Sequence, residues 1–458
     1  MRWPFLLVFS VVACDGGGAE PSGGAASQGG GGSTGSIGGS PTTTSSTADG
    51  AGGSGGTSAV GGSGGAGGVV EDDPCLTATP TCDVGPPGSS GGGLVPLDRC
   101  AFSLDRSASF DDFAPLVDAL ETVAEPATIA DVLADLNREP DVVSPGSVPG
   151  DPPGVSFAFR WEASENANET WIPQGITGSP DASATGLVEG RRLVMVSFYF
   201  DEEIDPNAAP KGVRVALVDV TNPDAPAYRF LLLVEPVAGP TWASVRIHAG
   251  GIAWVGDYLY VADTFAGVRV FDMRRIFLAD TSENVIGCDA TSCKAGLYKY
   301  ALPQVGAFTR WSACDPAPRY SFVALDRSED PPRLVTGEYC AATACNGPLD
   351  GRVLRHAIDP ATGLLAGGDR TFATDAYYAG ERQIQGAVSS GDTFFFSSSE
   401  PAGSAGILYR AKVGERAAVD WIDTPEDMMI DTTTNEIFSL SEGYDARYVF
   451  AADLDAYQ

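Results

Sequence analysis

Beyond residue 153 the apolar positions fall in short runs, many alternating with polar residues, and Gly, Pro or Asp closes most of them. Runs of about 4–8 residues with this punctuation predict β-strands, and their succession predicts an all-β domain over 153–458. The clearest stretch, RIHAGGIAWVGDYLYVADTFAGVRVFDMRRI at 246–276, reads as three strands in a row. Its parts recur. A Gly before a β run that ends in Asp appears as Gly212-VRVALV-Asp219, Gly267-VRVF-Asp272 and Gly351-RVLRHAI-Asp359. The last copy, ARYVFAA-Asp453, carries Asp445 in place of the Gly, and Gly406-ILYRAKV lacks the Asp. Gly permits the tight entry into the strand, and Asp can bond its own backbone in the turn that follows.

A second element opens each unit: PQGITGS at 173, HAGGIAWVG at 248, QGAVSSG at 385, PEDMMIDT at 425 and, more weakly, RYSFVALD at 319. Repeats of strands at such spacing predict a β-propeller. Five four-stranded blades fit the length, and the degenerate third opening leaves a sixth open. Val155-SFAFRW-Glu162 is expected to supply the fourth strand of the last blade, closing the ring so that no sheet edge is exposed.

Residues 73–152 are rich in loops but contain two helical patterns. Ser109 is placed to cap a helix with Phe110, Phe113, Leu116, Val117 and Leu120 on one face. Pro126 suits the first turn of a second helix with Ile129, Val132, Leu133 and Leu136 aligned. The expectation is a helical hairpin covering one face of the propeller. Residues 15–72 are almost wholly Gly, Ser, Ala and Thr, a composition expected of a disordered tether. Residues 1–14 hold one cation and a short apolar run ending Val11-Val12-Ala13-Cys14. The run is short for a bilayer span, which needs about 20 residues, and has the plan of an export signal. Val11–Cys14 resembles a bacterial lipoprotein signal, which implies lipidation of Cys14 and attachment to a bacterial membrane.

Charge and cysteines refine this picture. A formal net charge of −32 disfavours binding to a nucleic-acid backbone and suits a soluble, monomeric exported protein. Of nine cysteines, Cys14 apart, eight remain. The short loops favour pairing Cys75 with Cys82, Cys288 with Cys293 and Cys340 with Cys345, leaving Cys100 for Cys314. The rival is a zinc site built from the two C-x₄-C units, which an oxidising compartment disfavours.

In a propeller the innermost strands line the central channel, so the unit openings converge at one mouth. That gathers Gln174, His248, Arg319, Gln385, Glu426 and Asp427 as candidate ligand-binding residues. No cofactor motif is present. Should an ion bind, Glu426, Asp427 and His248 with amide oxygens would suit Ca²⁺. His356 is expected to be structural or merely exposed, and Trp242 and Trp254 to pack in the interior rather than stack on a sugar.

WIPQGITGSPDAS, KGVRVALVDV, YRFLLLVEP, the 246–276 stretch and TPEDMMIDTTTNEIFSL together resemble a family of secreted proteins common in actinobacteria and myxobacteria. The resemblance spans roughly residues 155–455 and implies a β-propeller without an assigned activity. More loosely, the Gly at the openings is similar to lactonase and phytase-like propellers, which are metal-dependent hydrolases. Two readings follow: a membrane-anchored module that binds a small polar ligand or a protein partner, and a Ca²⁺-dependent hydrolase with His248 as general base. The missing second set of carboxylates favours binding.

Overall fold

The structure, a computed structural model, describes residues 73–82, 92–204, 211–340, 351–399 and 405–458. The chain divides into Met1–Val69 and Val70–Gln458, and every described residue belongs to the second unit. Cys14, the Gly/Ser-rich segment and Cys345 lie outside the described residues.

The fold is a β-propeller. Among the described residues, five antiparallel four-stranded blades start from the inner strands Trp171–Gly178, Ile252–Val255, Phe322–Asp326, Ile384–Ser390 and Pro425–Asp431. Each inner strand neighbours the next, and the fifth packs on the first. Val155–Arg160 is the outer strand of blade five, pairing antiparallel with Tyr448–Asp453 as the sequence predicts. One strand, Tyr300–Ser312, serves two blades. Its end at Tyr300–Pro303 runs parallel to Leu231–Val234 of blade one, and its middle completes blade two against Gly267–Phe271.

The repeated glycines and aspartates have the turn roles expected of them. Gly212 and Gly267 take φ of +79° and +131°, and a Cβ on either would lie 2.2 Å from a backbone oxygen. Asp445, at the corresponding place in blade five, also adopts positive φ, at 56°. Asp219, Asp272, Asp359 and Asp453 each accept the amide N–H two residues on, at 2.9–3.0 Å. His356 is fully buried, as are Trp242 and Trp254 to within 2%.

The segment before the propeller departs from expectation. Helix Ser109–Leu120 buries Val117 and Leu120, but its N-cap is Ala108 and Ser109 is already helical. The second helix is only Ile129–Leu133, capped by Thr128 in a reciprocal box with Asp131. Pro126 lies before it, in a two-residue strand paired with Ile276–Phe277. The helices do not cover a face of the ring. Ser109–Leu120 packs on the outer strands of blades one and two, and the rest of the segment follows the rim.

That course forms a belt. Leu94 bonds Lys412 of blade four, and Val95–Pro96 pairs with Tyr377–Tyr378 of blade three. Phe102–Arg106 then pairs with Phe308–Ser312 of blade two. Asn137 and Arg138 bond Tyr228 of blade one, and Asp141–Val142 pairs with blade five. Gly150 ends the circuit against Trp421 of blade four, its α-carbon so close that a Cβ would sit 2.0 Å from the carbonyl oxygen.

The disulfides differ from the short-loop pairing. Cys75 joins Cys100 and Cys82 joins Cys314, while Cys288 joins Cys293 as expected. Sequence proximity fails for the first four because the belt, not the local loop, brings Cys100 and Cys314 near the start of the domain. There the Ala313 amide bonds the Ala101 carbonyl. Cys340 is also disulfide-bonded, which removes a zinc role for it. Disulfides suit an oxidising, exported setting.

Candidate functional site

The inner strands approach so closely that glycine is required where they meet. A Cβ on Gly175 would lie 2.8 Å from Gly251 and Ile252, and one on Gly251 would lie 2.3 Å from the Val323 nitrogen. One on Gly386 would lie 2.5 Å from the Asp427 α-carbon. Ser197 ties the same level together, accepting from the Gly175 amide and donating to the Ala249 carbonyl, at 2.8 and 2.9 Å.

Asp427 is therefore part of a floor rather than of the open mouth. It is fully buried, and its Oδ2 accepts the Ile176 and Ile252 amides of blades one and two at 3.2 and 3.4 Å. Its Oδ1 has no partner. Desolvation raises its pKa well above the usual carboxylate range, against those amide bonds. This carboxyl pins blade five to two others.

Above the floor, Gln174 is buried and donates from Nε2 to the Pro173 carbonyl and to Glu442 Oε2, at 2.9 and 3.1 Å. Glu426 is only 1% exposed. Among the described residues no hydrogen-bond donor reaches its carboxyl, yet neither of its oxygens is among the fully enclosed unpartnered atoms. Burial first, then the like charges of Glu442 and Asp427, raises its pKa well above the ordinary value. Burial likewise raises Glu442, with the Gln174 amide and Arg447 opposing. Tyr339 feels both glutamates and is raised by burial.

The other candidates stand around this centre. His248 is exposed on the rim, its ring tilted over Tyr199 with centroids 4.5 Å apart. Desolvation where the ring lies against its neighbours lowers its pKa, against the charge of Asp201. Arg319 is held by its own blade: its amide donates to Glu338 Oε1 at 2.8 Å and its guanidinium reaches the Tyr339 carbonyl at 3.5 Å. Gln385 donates to the Ser399 hydroxyl at 3.2 Å. The structure thus joins Gln174 and Glu426 around Glu442, lowers Asp427 into the floor, and leaves His248, Arg319 and Gln385 on separate parts of the rim.

Glu442 and Tyr339 are the residues the openings do not reveal. Their signal lies at the other end of each hairpin, where the second strand of a blade ends on or just before an acid: Asp201, Asp263, Glu338 and Glu442. Two of these acids have internal cations. Asp263 pairs with Arg269 at 2.9 Å, and buried Glu338 with Arg352 at 2.7 Å. Glu442 has the Gln174 amide instead.

Among the described residues no three His, Cys, Asp or Glu side chains gather to hold a metal ion, and no helix is long and apolar enough to cross a membrane. Two cavities of about 350 and 400 Å³ lie on the rim, at Arg410–Ala417 and at Leu136–Glu139 with Glu162 and Ala227, away from the mouth.

No protein-family model matches the chain, and no curated protein matches it. Among solved structures it is similar to XC5397, a gluconolactonase of Xanthomonas campestris, at 11% identity over 72% of this chain and 97% of that one, TM-score 0.29. It is similar to the RS223 β-xylosidase at 9% identity over 62% and 92%, TM-score 0.29. Hydrazine synthase of Kuenenia stuttgartiensis matches at 12% identity over 61% and 80%, TM-score 0.23. At these scores the likenesses carry no activity to this chain, and the fold rests on its own strand pairings.

Proposed function

We propose that this protein is an exported lipoprotein, anchored through Cys14, whose propeller binds a small polar ligand at the mouth framed by Gln174, Glu426 and Glu442. The observation that carries the binding reading is Glu426: a carboxyl 1% exposed, without a hydrogen-bond donor and beside two other acids. A buried polar group left unsatisfied costs about 1–3 kcal/mol, more when charged, so its retention points to use. The anchor reading rests on the Val11–Cys14 sequence and on disulfides that suit an oxidising compartment.

Each half has its own test. In a bacterial host fed labelled palmitate, the full chain is expected to take up label and Cys14→Ala to lose it; equal labelling of both would refute the anchor. For the mouth, ligand-observed NMR with mixtures of sugars, diols, amines and amino acids is expected to find binders weakened by both Gln174→Ala and Glu426→Gln. Binders indifferent to both variants would place recognition elsewhere.

A further inference from the structure

We propose that the ligand of this mouth carries an organic ammonium group, received by the carboxyls of Glu426 and Glu442. The inference rests on the binding reading above and names its ligand class.

At two comparable strand ends the acid is neutralised from within, Asp263 by Arg269 and Glu338 by Arg352. At blade five Glu426 and Glu442 stand at the paired ends of one hairpin, where the Glu442 amide bonds the Thr424 carbonyl, and neither has an ion-pair partner among the described residues: Glu442 is held by an amide and Glu426 by nothing. The nearest cation is committed elsewhere. Arg447 spends Nη1 on the Glu165 and Trp171 carbonyls, at 2.9 and 2.8 Å, and Nε on the Glu442 main-chain carbonyl at 3.1 Å. A ligand cation would therefore supply the charge that the fold does not.

The shape of the donor set selects among cations. Ca²⁺ takes about 6–8 oxygens, so two carboxyls with one amide would have to bind bidentate and recruit water to complete its shell. An ammonium needs only about three acceptors, which Glu426, Glu442 and the Gln174 carbonyl oxygen can provide. Gln174 is oriented for this, because its Nε2 is already occupied by Pro173 and Glu442.

Binding is coupled to protons. The groups facing Glu426 are Glu442, Asp427 and Tyr339, all acids, with Arg447 acting through Glu442. An arriving ammonium favours the carboxylate form of Glu426, so binding is expected to release whatever proton the carboxyl holds, and the ion pair forms in its place.

The test uses the purified protein with isosteric pairs: glucosamine against glucose, and putrescine against 1,4-butanediol. At least one amine is expected to bind saturably, its neutral partner and the Glu426→Gln protein each weaker by about tenfold or more, as for loss of a charge-assisted bond. Calorimetry in two buffers of different ionisation enthalpy is expected to show proton release that Glu426→Gln abolishes. Amine binding untouched by Glu426→Gln overturns the proposal, as does saturable Ca²⁺ binding lost in that variant without any amine binding. If glucose or butanediol binds, is lost in Gln174→Ala and ignores Glu426→Gln, the ammonium fails while the mouth survives. If nothing binds, both fail. Glu426→Gln keeps the size of the side chain and removes a buried carboxyl that lies beside two other acids, so it is expected to fold at least as well as the parent.

Discussion

Asp181 and His356 are both buried and both leave ring or carboxyl atoms without partners, yet they pull stability in opposite directions with pH. Burial raises Asp181 to about 7, against the hydroxyl of Thr177 and the charge of Arg327. The folded state then holds a proton that the unfolded chain gives up near pH 4, so its contribution falls as pH rises from about 4 to about 7. Burial lowers His356 to about 3. Here the unfolded chain takes the proton first, near pH 6.5, and stability is lost as pH falls from there to about 3. Urea denaturation of the variants separates the two. Asp181→Asn is expected to gain on the parent as pH rises from 5 to 8, and His356→Leu to gain as pH falls from 6.5 to 4. A constant difference across pH would contradict either assignment. Arg214 offers a test without titration. It is buried, ion-paired with Glu165, and lies 3.7 Å over the Phe230 ring. Arg214→Met strands Glu165 and is expected to cost about 3–5 kcal/mol in the same assay.

Strands and turns obey local chemistry, which is why so much of them is legible in the sequence. Gly212, Gly267 and the Asp residues that close their strands act within a few residues of themselves, and Asp445 reveals by substitution where positive φ is needed. The closing strand Val155–Arg160 is legible for a related reason: an unassigned β run and an incomplete last blade imply one another. Gly386→Ala tests one of these close inner contacts. With Asp427 backbone 2.5 Å from the new methyl, overpacking is expected to cost about 1–3 kcal/mol or more, read as a lowered denaturation midpoint. What the sequence hides is settled by contacts far along the chain. Pro126 has the chemistry of a helix start, and becomes a strand because Ile276–Phe277 offers it an edge. The site divides in the same way. Gln174 and Glu426 follow from the openings, whereas the place of Asp427 beneath the mouth depends on a bulge between Pro425 and Met428 that no spacing announces.

Across the whole ring, closure is made twice, once by the hydrogen bonds of Val155–Arg160 to blade five and once by the belt that starts and finishes on blade four. The Cys75–Cys100 and Cys82–Cys314 disulfides fix the segment that leads into the belt beside the end of the blade-two strand Tyr300–Ser312, the second with a sequence separation of 232. Opening so long a loop is expected to cost about 2–5 kcal/mol. Thermal denaturation of Cys82→Ala/Cys314→Ala should therefore show a lower midpoint than the parent, whereas Cys288→Ala/Cys293→Ala, which opens a loop of separation 5, should show a much smaller change. Equal losses from the two double variants would argue that the belt contributes nothing through its anchorage.

The same covalent anchorage decides how the domain would bear mechanical load. Tension entering ahead of Cys75 passes through sulfur to Cys100 and, seven residues later, to Cys314, two points that adjoin through the Ala313–Ala101 hydrogen bond. Force thus reaches the ring at a single riveted spot and cannot peel the strap away strand by strand. Once those rivets are reduced, a pull in the same direction unzips the circumference instead, so the domain is a load-bearing body only where its surroundings are oxidising.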